Sequence, residues 1–146
     1  MGLIYRGQMR GGKPEGEGTL SYLNGDFLYR GGWRDGVPHG DGVEYLDRQS
    51  AKVGIWYCGF RYVGNWEDGK PHGLGALFDF RGVILYLGLF DHGKSQGYGK
   101  QFFAGKLMYE GGFFQGKFHG FGTFYDEYGE IVYFGQWVDG FFQNNV

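Results

Sequence analysis

The segment YVGNWEDGKPHGLG, residues 62–75, recurs along the chain at a nearly constant step, and that period limits the fold more than any bulk property does. Its relatives are YRGQMRGGKPEGEG (5–18), YRGGWRDGVPHGDG (29–42), YLGLFDHGKSQGYG (86–99) and YEGGFFQGKFHGFG (109–122), with YFGQWVDGFFQN (133–144) as a truncated sixth copy. The opening tyrosines stand at 5, 29, 62, 86, 109 and 133, so the steps are 24, 33, 24, 23 and 24. The long step holds a half copy, KVGIWYCG (52–59), with Lys52 in the tyrosine place. It predicts one additional short strand or hairpin arm, preceded by a loop at 45–51.

A repeat of this length has no room for a helix, a strand and two connections. Two short strands and two turns fill it. In Tyr-x-Gly-x-aromatic the marked residues are two apart and share one face of a strand. Glycine weakens strands, so glycine between two rings needs a reason. The second strand supplies one, because Gly73 and Gly75 also lie two apart. Rings on alternate strands are separated by about 9.6 Å at ~4.8 Å per strand. They meet only if the strand between them presents bare backbone. The expected ladder is Tyr29/Trp33, Tyr62/Trp66, Tyr86/Phe90, Tyr109/Phe113 and Tyr133/Trp137. Asp-Gly at 35–36, 68–69 and 139–140 marks turns that need positive φ, with Pro14, Pro38 and Pro71 just after the turn glycine.

The expected fold is all-β: one elongated, single-layer antiparallel sheet of tandem β-hairpins. It forms a single array over 1–146, with copies starting near 5, 29, 52 (the half copy), 62, 86, 109 and 133. Contacts would run between neighbouring copies, as in other repeat arrays.

The shared frame, Tyr-x-Gly-x-aromatic-x-x-Gly-x-x-His-Gly-x-Gly, resembles the MORN (membrane occupation and recognition nexus) repeat. The resemblance spans Tyr5 to Asn144 and departs at Met9, Glu15, Gln96 and Asn144. It implies relatives in cytoskeletal, membrane-junction and cilia-associated assemblies, and as domains appended to lipid kinases and a methyltransferase. A non-enzymatic protein-binding scaffold, cytoplasmic and associated with the cytoskeleton or a membrane, is the function this leads us to expect.

The residues argue the same way. His39, His72 and His119 recur at one frame place, where Glu15, Gln96 and Gln143 substitute. A residue copied along an array is expected to serve the turn, by hydrogen bonding to local backbone, rather than to catalyse. Histidines one copy apart would lie near 10 Å, too far for shared coordination, so no metal is expected. The Gly-x-Gly has no following helix to make a phosphate site. No nucleophile triad appears, and neither catalytic residue nor cofactor is expected. Cys58 is the only cysteine, which excludes an internal disulfide, and no apolar run approaches the ~20 residues of a helical span. Net charge is −2, which provides no attraction for nucleic acid.

Binding therefore falls to surfaces. The central contact strip is expected to be Tyr62, Trp66, Tyr86, Phe90, Tyr109 and Phe113, facing a helix or extended segment of a protein partner. The second candidate lies on the opposite face. Early copies carry Arg6, Gln8, Glu17, Thr19, Ser21, Arg30 and Asp41 there. Later ones carry Leu74, Phe78, Leu87, Leu89, Tyr98, Phe102, Phe121, Tyr125 and Phe134. Lys13, Lys70, Lys94 and Lys117 share one frame place and would form a row for phosphoinositide or acidic phospholipid, the alternative partner. Carboxylates at 35, 67, 68, 91 and 139 sit in the same turns and offset that charge. Self-association into a homodimer is the third reading.

Overall fold

The computed structural model describes residues 2–45 and 60–144. The expected extra arm at 52–59, most of its loop and Cys58 lie outside the described residues. The strands are β1 (Leu3–Arg10), β2 (Lys13–Tyr22), β3 (Phe27–Arg34), β4 (Val37–Tyr45), β5 (Phe60–Glu67), β6 (Lys70–Phe78), β7 (Ile84–Asp91), β8 (Lys94–Phe103), β9 (Lys106–Phe114), β10 (Lys117–Tyr125), β11 (Ile131–Val138) and β12 (Phe141–Phe142). They form one antiparallel sheet in chain order, each strand pairing only with its neighbours in sequence. β4 pairs directly with β5, with Gly42 opposite Gly64.

Turn chemistry sets the hairpins. Within the copies, two-residue loops hold both residues at positive φ: Asp35 and Gly36 at 49° and 85°, Asp68 and Gly69 at 51° and 81°. That is the primed turn whose twist matches paired strands. Each such turn is tied to the copy before it. The N–H groups of Gly36, Gly69, Gly93, Gly116 and Gly140 donate to the carbonyls of Pro14, Pro38, Pro71, Ser95 and Phe118 at 2.8–3.0 Å. Two of the connections between copies use an aspartate instead. Asp79 Oδ1 accepts from the N–H groups of Arg81 and Val83, and Asp126 Oδ1 from those of Tyr128 and Glu130.

One register line organises the sheet. From β1 to β11 each strand contributes one glycine, in the order 7, 18, 31, 42, 64, 75, 88, 99, 111, 122 and 135, each opposite the next. The tyrosine rings lie over this bare line. A Cβ built on Gly75 would sit 2.1 Å from Tyr62 Oη, and the same holds for Gly18, Gly42, Gly99 and Gly122 with their own tyrosines. The two glycines of the Gly-x-Gly frame share the ladder face in register but differ in role. The second, Gly75, provides space. The first, Gly73, has φ +86, stands opposite Phe90, and has only the Asn65 side chain near it.

Above the glycine line the rings form the expected ladder as far as Trp137; Tyr133, expected beside it, is 46 % exposed with its ring 6.2 Å from Trp137. Tyr5, Trp33, Tyr29, Trp66, Tyr62, Phe90, Tyr86, Phe113, Tyr109 and Trp137 meet in that order, edge to face, at centroid distances of 4.9–5.5 Å. Such T-shaped pairs are each worth about 0.5–1.5 kcal/mol beyond their burial. Polar ends are satisfied. The hydroxyls of Tyr5, Tyr29, Tyr62, Tyr86 and Tyr109 donate to the carbonyl three residues on, at 2.6–2.8 Å. That carbonyl belongs to the residue where the hairpin ladder skips, as Asn65 does between the Gly64 and Trp66 pairs. The indole N–H groups of Trp33, Trp66 and Trp137 donate to the carbonyls of Gly18, Gly42 and Gly122 in the preceding copy.

Burial pushes the Tyr62 and Tyr109 hydroxyls up to about 12, and raises those of Tyr29 and Tyr86 as well. These groups hold their protons more tightly folded than unfolded, where tyrosine titrates near ~10. Their contribution is complete below about pH 10 and is lost as pH rises toward 12. We expect the denaturation midpoint to fall across that window. The last part of the phenolate absorbance, that of the four buried tyrosines, should appear together with unfolding; the full absorbance of all twelve tyrosines reached in the intact fold would contradict this.

Candidate interaction surfaces

The six rings expected to be the contact strip are 0–7 % exposed. Edge-to-face tilting lets each ring cover its neighbours, so these side chains form the core of a sheet that has no second layer among the described residues. On the same face lies a shallow groove of about 640 Å³. Tyr62, Leu77, Tyr86, Phe90, Gln101 and Phe102 line it, with Glu44 and Arg61 at one side and Lys94 and Ser95 at the other. Burial raises the Glu44 carboxyl above its usual range, and Arg61, with Nε 3.6 Å from Glu44 Oε1, partly offsets this. The sequence reading passed over this pair, and it placed Phe102 only on the opposite face.

The opposite face carries the exposed apolar area. One register line there runs Arg6, Thr19, Arg30, Val43, Val63, Ala76, Leu87, Lys100, Glu110, Thr123, Phe134. It is polar in β1–β3, apolar from Val43 to Leu87, and polar again at Lys100, Glu110 and Thr123 before Phe134, so along this line the expected change holds only as far as β7. Beside it Leu74 stands opposite Leu89, Tyr98 opposite Gly112, and Phe121 opposite Gln136. Leu74, Leu87, Leu89, Tyr98, Phe121 and Phe134 are 41–70 % exposed. Phe78, Phe102 and Tyr125 are half-buried, and Tyr125 Oη donates to Glu110 Oε1 at 2.5 Å.

The family model of the MORN repeat matches residues 5–27, 29–47, 62–77, 86–106, 109–127 and 133–144. The chain belongs to the MORN repeat family. Each match begins at the opening tyrosine of a copy, so the MORN copy coincides with one tyrosine-to-tyrosine step of the sheet. No curated protein matches the chain in sequence.

The remaining candidates lie on the turn edge of the MORN array. Lys13, Lys70, Lys94 and Lys117 are exposed and open β2, β6, β8 and β10, so they share that edge. Lys70 stands opposite Glu67 and Lys94 opposite Asp91 across their turns. The frame histidines bridge copies, as a structural turn role requires, although the backbone they serve is that of the next copy. Glu15 Oε2, His72 Nδ1, Gln96 Oε1 and His119 Nδ1 accept from the N–H groups of Asp35, His92, Gln115 and Asp139 at 2.8–3.4 Å. His39 departs from this pattern, since its Nδ1 is buried with no hydrogen-bond partner. The sequence reading weighed only frame histidines against one another. It missed that His92, in the turn of one copy, reaches His72 of the copy before.

Proposed function

We propose that the protein is a non-enzymatic binding scaffold whose outer face, across β6–β11, takes an amphipathic helix of a partner protein within a cytoskeletal or membrane-associated assembly. The observation that carries this reading is the exposed apolar band from Leu74 to Phe134. At roughly 200 Å² per aromatic side chain, Tyr98, Phe121 and Phe134 alone expose on the order of 400 Å². The leucines extend a patch already of the size that marks contact surfaces. The band crosses the strands instead of following a sheet edge, so it offers an incoming chain no backbone partners. A helix satisfies its own backbone and needs none. Five strand spacings of ~4.8 Å make about 24 Å, the length of a helix of roughly 16 residues. Lys100 opposite Glu110 leaves the middle of the band without net charge, which suits a mixed apolar-polar helix better than an anionic bilayer.

A triple variant, Leu89→Ser, Tyr98→Ser and Phe121→Ser, tests this. Partners captured by the wild-type chain would be purified and titrated directly against both forms by calorimetry. The variant should bind at least ten-fold more weakly while its denaturation midpoint stays near wild type, because the substituted side chains are already exposed. Equal affinity for the two forms would refute the reading. Ladder substitutions cannot serve here, because they remove core.

The lysine row is the observation behind the second reading, a phospholipid surface. Phosphatidylcholine vesicles with and without phosphoinositide, titrated across salt, separate the two. Binding that weakens steeply with salt and disappears when Lys70, Lys94 and Lys117 are replaced would favour the lipid. Sedimentation equilibrium of the chain alone reports self-association.

A further inference from the structure

Where the turn of the copy opening at Tyr86 packs on the copy opening at Tyr62, three metal-binding side chains converge. His72 Nδ1 lies 3.3 Å from Asp91 Oδ1, and His92 Nδ1 lies 2.5 Å from the same oxygen. The ligand atoms of all three residues fall within 4.8 Å of one another, and the two imidazole centroids are 5.1 Å apart. On its other side His72 Nε2 is 2.9 Å from Glu67 Oε2. A carboxylate at that nitrogen holds the proton there in the neutral imidazole, so Nδ1 turns its lone pair toward Asp91. Two acceptors then face each other at 3.3 Å, with His72 Nδ1 receiving only the long 3.4 Å contact from the His92 N–H. A cation between them would convert that opposition into two bonds.

We propose that His72, Asp91 and His92 bind a divalent transition-metal ion of the zinc type, with Glu67 orienting His72 from behind. Zinc takes imidazole nitrogen at about 2.0–2.1 Å and carboxylate oxygen at about 2.0–2.2 Å in tetrahedral geometry, which spaces the donors roughly 3.3 Å apart. The His72–Asp91 pair already has that spacing. The His92–Asp91 pair must open by less than about 1 Å to reach it, and both side chains are exposed and free to move. Two imidazoles and one carboxylate select against magnesium and calcium, which take all-oxygen sets. Solvent supplies the fourth position.

The site occurs once among the described residues. One copy later Gln96 and Gln115 occupy the places of His72 and His92, and they make the same backbone bond through Gln96 Oε1. Bound metal would therefore clamp one particular pair of neighbouring copies along the turn edge, beside Lys94 and near the groove margin.

The natural glutamines make His72→Gln and His92→Gln conservative for the fold. The full chain would be titrated with zinc chloride by calorimetry and with cobalt(II) by visible absorption. The expected result is one zinc per chain, cobalt bands of tetrahedral intensity, and no heat with magnesium. His72→Gln and His92→Gln should each weaken zinc at least ten-fold. Glu67→Gln should do so by about ten-fold, the usual effect of losing an orienting carboxylate, and His119→Gln should leave affinity unchanged. Independently of any variant, zinc should shift the ring proton signals of two of the chain's four histidines. Zinc affinity unchanged by His92→Gln, equal loss in His119→Gln, or ring shifts in all four histidines or in none would overturn the proposal.

Discussion

Gly64→Ala is expected to lower the unfolding free energy by about 4 kcal/mol, a large share of a domain's stability. A Cβ at Gly64 would stand 2.5 Å from Gly75 Cα, 2.6 Å from the Leu74 carbonyl oxygen and 2.9 Å from Tyr62 Oη. The first two contacts are backbone atoms of the paired strand, so relief requires the strands to separate. Overpacking of that kind costs about 1–3 kcal/mol. A φ of +157° adds about 1–3 kcal/mol for a residue with a side chain. Gly116→Ala is the comparison. Its turn has open space around the new methyl group and only the left-handed φ of +84° to oppose it, for about 1–2 kcal/mol. Urea denaturation of the two variants measures the difference. Equal losses would mean that the glycine line is not a packing requirement, and the account of the fold would fail with it.

Trp66→Ala is expected to cost about 3–5 kcal/mol, the usual range for a large ring removed from a core. The ring is 5 % exposed, touches Tyr29 and Tyr62 edge to face at 5.1 Å, and donates Nε1–H to the Gly42 carbonyl at 3.1 Å. Among the described residues no second layer can move in to fill the space. Trp66→Phe should cost far less, because Phe90 and Phe113 hold the same frame place in later copies. Its cost should be near the ~1 kcal/mol of the lost hydrogen bond plus the smaller ring's lost contacts. Each strand pairs only with its chain neighbours, so the damage should also be local. Amide exchange is expected to accelerate across β3–β6 in Trp66→Ala well before β9–β11. Uniform acceleration would indicate a globally cooperative sheet instead of a nearest-neighbour array.

Much of this fold was legible in the residues, for physical reasons. The step between tyrosines admits two strands and two turns. Asp-Gly fixes where the turns fall, and glycine spaced two residues from a ring marks bare backbone beneath an aromatic. Those signals are local, and the ladder order followed from them. The groove pair Glu44–Arg61 was not legible. Arg61 is the extra residue where the β4–β5 register shifts, and the same shift recurs just before Tyr29, Tyr86, Tyr109 and Tyr133, but the residues there, Leu28, Leu85, Met108 and Val132, share no type with Arg61 that would mark the place in the sequence. His92 was hidden for a similar reason. It occupies a turn place held elsewhere by Asp35, Asp68, Gln115 and Asp139, and only the docking of one turn on the previous copy brings it to His72.

The period and the alternation of residue types by themselves determined the sheet, its hairpins and the partners in the aromatic ladder, because each depends on spacing along a single chain. Only the tertiary structure decided how much of each ring remains outside. Exposure is set by the angle at which neighbouring rings meet, and edge-to-face tilting across the glycine line closes one face while the leucines and phenylalanines of the other face have nothing among the described residues to close against.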